Sequence, residues 1–319
     1  MLIPRFIAGI FSVALMIVGT GAVSGQDYPN KTIRIIASTP GGGSDFQARQ
    51  IGQGISGTLG QPVVIDNRPS ILVAEVGAKG APDGYTLTIQ GASLWIGPLL
   101  RKAPYDPVSD FAPITMISRE VFILAVHPSL PVKSLKDLIA LGKSRPGELI
   151  YSVSTPGGPS FLGMELFKSM TGVRMLNVPY KGTSQVVTAV LSGETQLTVG
   201  DVALVAPHAK SGRLKALAVT SLDTSALAPG LPSIAESGLP GFEVVGATGM
   251  WAPAKTPSAI VTRLNQEIVR FLVRAEVKER FLGNQVEVVA NTPEQFAAII
   301  KSDIAKWGKV FKDAGIKLE

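Results

Sequence analysis

The sequence contains no cysteine and only two histidines, His127 and His208. The first absence excludes disulfides, thiolate metal sites and a lipid-bearing cysteine behind an export signal; two histidines are too few for an imidazole-based transition-metal centre. Aromatic residues are sparse at 6%, and charged residues make up 17% against 45% hydrophobic. Lysine and arginine are scattered, as at Arg34, Arg68, Lys133, Lys181, Arg213 and Arg270, so a nucleic-acid surface is not expected. The formal charge of +6, reduced by one if Arg5 is removed with a leader, is a mild positive field that favours anionic small molecules. Beyond the first 29 residues there is no apolar run long enough to span a bilayer.

What is present is enough apolar sequence, over 319 residues, to bury a large core in a length that suits two domains. The opening "MLIPRFIAGIFSVALMIVGTGAVSGQDYP" has a basic residue, an apolar run from Phe6 to Val18 and then small residues. That is the grammar of a secretory signal peptide, residues 1–25, with cleavage expected near Gly25. A membrane anchor fits less well, because the run falls short of the ~20 residues a span requires.

Further along, short β-rich runs alternate with amphipathic stretches. "TIRIIAS" precedes a helix from about Asp45 to Leu59, "QPVVIDN" one ending near Lys79, and "YTLTIQGAS" the segment "LWIGPLL". The alternation predicts an α/β fold with a parallel sheet. "FILAVHPSLPV", "GELIYSVST", "MLNVPYKG" and "LTVGD" read as further strands. Ser134 with Asp137 has capping-box spacing, and Thr256-Pro257 and Thr292-Pro293 each read as an N-cap followed by proline at the first helical position.

Three stretches share one plan of strand, small-residue loop and helix: "IIASTPGGGSDFQARQ", "IYSVSTPGGPSFLGMELFKSM" and "NVPYKGTSQVVTAVLSG". Each places unpaired backbone N–H groups at a helix N-terminus, where the dipole favours negative charge, and glycine lets a ligand approach the backbone. Two separate "TPGG" loops make an anion site a stronger reading than ordinary α/β turns. It is not a P-loop, since Gly43 is followed by Ser44 and Asp45 rather than Lys-Ser/Thr, and "GGGSDF" lacks the last glycine of a dinucleotide fingerprint, so no cofactor is expected. Asp45 would repel an anion unless it turns back to cap its own helix. "GGPSFLG" resembles a nucleophile elbow but is spaced GxSxxG, and only His127 or His208 could act as base to Ser160.

The segments "YPNKTIRIIASTPGGGSD", "LGQPVVIDNRP", "APDGYTLTI", "PYDPVSDFAPI", "VPYKGT", "GRLKALAVTS", "LPSIAESGLPGFE", "WAPAKTPSAIVTRLNQEI" and "WGKVFKDAGIKLE" resemble the solute receptors of tripartite tricarboxylate transporters, the Bug proteins. The resemblance runs from Tyr28 to Glu319. It implies a two-lobed type II periplasmic-binding fold that closes over a small carboxylate and presents it to a membrane permease without chemistry. It also implies a periplasmic location, with no membrane insertion of the mature chain. Lobe one is expected to comprise 28–127 plus 249–319 and lobe two 128–248, with crossings near His127 and Gly249. Carried over position by position, the ligand loops are Pro40, Gly41, Gly42, Gly43, Ser44 and Asp45 in one lobe. Facing them are Thr155, Gly157, Gly158 and Ser160, then Tyr180, Lys181, Gly182 and Thr183, with Asp201 close to the cleft and Ser93 after the third strand.

Two departures bear on the ligand. "ASTPGG" stands where the family has an aromatic, and the family's "NRPGAGG" loop is here "NRPSILVAEVG", whose Ile71, Leu72 and Val73 suggest a drier, roomier cleft wall suited to a mono- or dicarboxylate with an apolar body. Phe161 occupies a position where the family often has histidine. Trp95, Trp251 and Trp307 are candidates to stack on a ligand, although tryptophan is mostly buried; Trp95 is the candidate for the cleft and Trp251 for the lobe junction. Two rival readings stay open: a secreted hydrolase using Ser160, and a ligand-binding subunit of a sensory system.

Overall fold

The computed structural model describes residues 28–154, 157–180, 183–313 and 315–316. The expected leader, and Thr155, Lys181 and Gly182 of the expected loops, lie outside the described residues.

The chain forms a ten-stranded mixed sheet. At one end, β1 (Ile33–Ala37) lies between β2 (Val63–Asn67) and β3 (Thr86–Gly91), both parallel to it. Helices α1 (Gly43–Leu59) and α2 (Ser70–Ala78) make the connections. At the other end β5 (Ile150–Val153) pairs in parallel with β6 (Leu176–Pro179) and β7 (Leu197–Asp201). The connecting helices there are α5 (Pro159–Thr171) and α6 (Thr183–Leu191). Each end is therefore the parallel α/β unit that the alternating pattern predicts.

The middle is antiparallel, and the sequence pattern did not predict it. β4 (Phe111–Val126) is a single 16-residue strand, much longer than the segment "FILAV" suggested. Its first part, to Val121, pairs with β9 (Val245–Pro253), which also pairs with β3; its second part, from Phe122, pairs with β7 and with β8 (Lys215–Val219). One continuous strand thus changes partners between Val121 and Phe122, joining the two parallel units. A run buried on both faces carries no alternation, so its length is not visible as a period.

Two apolar clusters fill the larger unit. Ile33, Ile35, Ile51, Ile55, Leu87 and Leu264 pack α1 and α8 (Ser258–Leu272) against the sheet. On the opposite face Trp95, Trp251 and Phe296 form a buried aromatic group, with ring centroids 5.1–6.0 Å apart. Trp95 donates from Nε1 to Asp303 Oδ2 at 3.1 Å. Both tryptophans are core residues, each aromatic contact contributing roughly 0.5–1.5 kcal/mol beyond its burial.

The expected helix caps divide instructively. Ser134 Oγ accepts from Asp137 N–H at 3.2 Å at the start of α4 (Leu135–Ser144). Thr292 and Gln295 exchange bonds of 3.0 and 3.2 Å at the start of α10 (Pro293–Asp313). At α8 the expected cap fails: the N-cap residue is Pro257, and the buried Thr256 hydroxyl donates instead to Pro253 O at 2.7 Å. Ser258 is the first helical residue, so the proline falls outside the helix.

Candidate functional site

The two "TPGG" loops share one backbone form. Gly41 and Gly157 have φ of 81° and 82°, a left-handed conformation that glycine adopts without strain. The next residues, Gly42 and Gly158, are extended N-caps of α1 and α5. Each loop thus brings the chain up from the end of a parallel strand and aims a helix N-terminus back across the top of the sheet.

Their hydrogen bonding differs. In the first loop Asp45, only 4% exposed, turns back on its own loop. It accepts from Gly41 N–H at 2.9 Å, Asn67 Nδ2 at 2.8 Å and Arg49 Nε at 3.0 Å. Burial raises the pKa of this carboxyl, but Arg49, the Gly41 amide and Asn67 outweigh burial and hold it below the usual aspartate range. Gly42 N–H donates to Thr39 O at 3.3 Å. The amides of Gly41 and Gly42, expected to face a ligand, are therefore used within the loop. Since Phe46 N–H is the first to bond back, to Gly42 O, the donors left open among the described residues are those of Gly43, Ser44 and Asp45. A Cβ at Gly43 would meet nothing within 4 Å, as expected of a residue facing open space.

In the second loop Ser160 is buried. Its Oγ accepts from Ser154 N–H at 2.8 Å and donates to Ser154 Oγ at 2.9 Å. Neither imidazole is among its partners; His127 Nδ1 lies 2.7 Å from Ser129 Oγ, and His208 is in the last turn of α7 (Val202–Lys210). Pro159 at the first helical position has no N–H, so the open donors are fewer here.

Two cavities that share Gly43 and Glu120 run along the cleft. The larger, about 550 Å³, is bordered by Gly43 and Ser44 of α1, by Ser93 at the start of α3 (Ser93–Ile96), and by Gly157, Gly158 and Pro159 of α5. Trp307 and Lys306 of α10 also reach it, Lys306 being paired with Asp303 at 3.1 Å. The smaller, about 330 Å³, lies between Gly41 to Gly43 with Gln47 on one side and Glu120, Phe122 and Asp201 on the other. Both helix N-termini thus border the paired cavities, and Arg101 and Lys306 line the larger one.

The remaining candidates fall in three places. Asp201 borders the smaller cavity. Burial raises its carboxyl pKa, partly offset by a hydrogen bond from Thr183. Thr183 and Ser160 share a small recess with Asp201. Tyr180 lies apart, on a depression with Glu194; burial first, then its hydrogen bond to Glu194 and that residue's charge, raise the pKa of its phenol. Pro40 is exposed and borders neither cavity. The expected apolar wall is not there either: Ile71 and Leu72 are 61% and 41% exposed on α2, Val73 is buried beneath it, and none borders either cavity. Without its glycines the segment winds into helix, which removes it from the cleft. Of the three tryptophans considered as ligand-stacking candidates, only Trp307 borders a cavity, while Glu120 and Gln47 have no local sequence signal, since each reaches the cleft through pairing or packing with distant segments.

Two parallel α/β units joined by long antiparallel strands, each aiming a glycine-capped helix at the same cleft, define a two-lobed solute receptor of the periplasmic-binding type. The chain belongs to the tripartite tricarboxylate transporter receptor family, whose model matches residues 47–316. Protein BugT of Bordetella pertussis is 34% identical over 304 residues, covering 93% of each chain. Among solved structures, R. palustris Rpa4515 with adipate is 35% identical at a TM-score of 0.72, covering 92% of this chain and all of that one. MatC of Rhodopseudomonas palustris with bound malate is 27% identical at 0.66, covering 89% and 99%. Among the described residues no helix is long and apolar enough to cross a membrane.

Proposed function

We propose that this chain is a periplasmic receptor that captures a small organic carboxylate between its lobes and delivers it, unchanged, to the permease of a tripartite tricarboxylate-type transporter. The observation that carries the reading is the opening of two helix N-termini, from opposite ends of the sheet, onto a single cleft. Open N–H groups and the positive end of the helix dipole stabilise an anion, and Arg101 and Lys306 on the border of the larger cavity add positive charge. Two relatives solved with adipate and malate support the same ligand class. On this reading Gly43, Ser44, Ser93, Gly157 and Gly158 line the carboxylate end of the site, Ser160 and Thr183 brace it, and Asp201 faces the other end. The internal bonding of Ser160 to Ser154 favours a receptor over a hydrolase.

The lobes are residues 28–127 with 249–319, and 128–248. The change of strand partners at Val121–Phe122 in β4 and the start of β9 at Val245, each a few residues from these bounds, support such a division. A ligand that touches both lobes favours the closed form, which a membrane partner can distinguish from the open one.

The test is native mass spectrometry of protein purified from its own host, followed by calorimetric titration with a panel of organic acids and small-angle scattering. A retained small acid, recovered unchanged, and a radius of gyration that falls on saturation are expected. Turnover of the acid, or failure of every acid to bind, would overturn the proposal; an unchanged radius would remove the closing step.

A further inference from the structure

The smaller cavity has two chemically opposite walls. On β4 and β7, Phe122 is the direct partner of Asp201. Glu120 lies two residues before Phe122 and so on the same face, which makes Glu120 and Asp201 diagonal neighbours, with Cβ atoms about 7–8 Å apart in such a pair. On its other side Glu120 pairs with Gly246 of β9. A Cβ at Gly246 would stand 2.8 Å from Glu120 Oε2, so only the bare glycine leaves room for this carboxylate. Among the described residues neither acid has a lysine or arginine partner, and the adjacent Arg119 is turned to Glu287 at 2.7 Å. Burial, then the charge of Asp201, raises the pKa of Glu120, the mark of acids held close without a cation.

The facing wall donates. Gln47 is completely buried; its Oε1 accepts from Ser118 Oγ at 2.9 Å, while its Nε2 has no partner among the described residues. A buried amide N–H left unpaired costs about 1–3 kcal/mol, which a ligand acceptor would relieve. Gln47 borders the same cavity as Gly43, whose own N–H is open. Donors thus stand opposite acceptors across a space of about 330 Å³.

We infer that the Glu120–Asp201 wall is an ammonium subsite, and that the preferred ligand is an amino carboxylate whose carboxylate faces Gly43 and Gln47. This rests on the carboxylate-receptor reading and narrows it. A plain dianion bound across this cavity would set its second negative charge against two acids, whereas a zwitterion meets opposite charge or a donor on each wall.

The test uses matched pairs that differ only in an amino group: propionate and alanine, succinate and aspartate, glutarate and glutamate, phenylpropionate and phenylalanine. Calorimetry is run on the wild-type protein and on the Glu120→Gln, Asp201→Asn double variant, with folding checked by circular dichroism. In the wild type the tightest ligand should carry the amino group and bind at least about tenfold better than its amine-free partner. In the double variant that ratio should fall towards one. Amine-free acids that bind the wild type as well as or better than their partners would overturn the ammonium subsite and leave the receptor reading standing. Binding by no member of either set would overturn both. If the double variant does not fold, the wild-type ratio alone decides.

Discussion

The two "TPGG" loops have nearly the same backbone and different chemistry. Gly41 and Gly157 share a left-handed φ, and Gly42 and Gly158 share an extended one. In the first loop the next residue is Gly43 and a buried aspartate binds the turn together; in the second it is Pro159 and two serines do that work. The difference teaches that the turn and the helix N-terminus behind it are separable. Asp45 spends the Gly41 amide on holding the loop, so the donors that remain for a ligand belong to the helix that follows. A carboxylate beside an anion site is tolerable here because Arg49, Asn67 and the Gly41 N–H surround it.

The comparison can be broken most severely at Asp45. Asp45→Ala leaves the Gly41 and Asn67 donors without this acceptor and should cost about 1–3 kcal/mol in urea unfolding. The sign of its pH dependence follows from a depressed folded-state pKa. The contribution of Asp45 is complete above the ordinary aspartate pKa and is lost as pH falls through the lower folded value. Wild type and variant should therefore differ most at neutral pH and converge in acid; a gap that widens on acidification would contradict the role assigned here.

Ser160→Ala tests the equivalent lock in the second loop. It strips partners from Ser154 N–H and Oγ, both buried, and should cost about 1–2 kcal/mol. Because the hydroxyl holds the loop and does no chemistry, ligand affinity should drop far less than stability, as thermal melts and calorimetry on the same protein would reveal.

The third test exchanges the first helical residues. Gly43→Pro deletes one N–H with little strain, since Gly42 already has the extended conformation a residue before proline prefers and no atom obstructs a Cβ at 43. Stability should hold while affinity for a carboxylate falls about tenfold, the equivalent of one hydrogen bond to a charged group. Unchanged affinity would show that the ligand does not use this amide. The reciprocal Pro159→Ala restores a donor to α5 and should have the smallest effect. A loss of stability under about 1 kcal/mol should accompany a gain in affinity of a few-fold at most.

What could be read from the sequence was local. A glycine that must take positive φ, a strand leading into it and a helix leaving it are all contained within a dozen residues, so both loops were visible as candidate anion sites before any fold was known. Ser134 and the Thr292–Gln295 box were legible for the same reason. Thr256 has the same pattern as Thr292, yet its hydroxyl turned to Pro253, because a tertiary choice about where α8 begins outweighed the motif. The motif at Asp45 pointed to a cap on its own helix; the structure instead ties its carboxylate to Gly41 N–H, Arg49 and Asn67, the last brought beside α1 by the β1–β2 pairing.

The features that lay beyond sequence reading depend on register between distant strands. Glu120 reads as one charge in a β-rich run; its position against Gly246 and diagonal to Asp201 exists only because β4 pairs with β9 along its first part and with β7 along its second. Gln47 reads as one polar residue within a helix, since nothing local indicates which face of α1 meets Ser118. Ile71 to Val73 suggested a cleft wall, and the helix they form turned them elsewhere. The sequence by itself determined the two glycine-capped helix starts and the parallel units that carry them, because short-range backbone preferences and hydrophobic period decide those. The tertiary structure alone decided which walls face each other across the cleft, because a strand register is set by contacts a hundred residues apart, and shifting it by one residue would turn Glu120 away from Asp201 altogether.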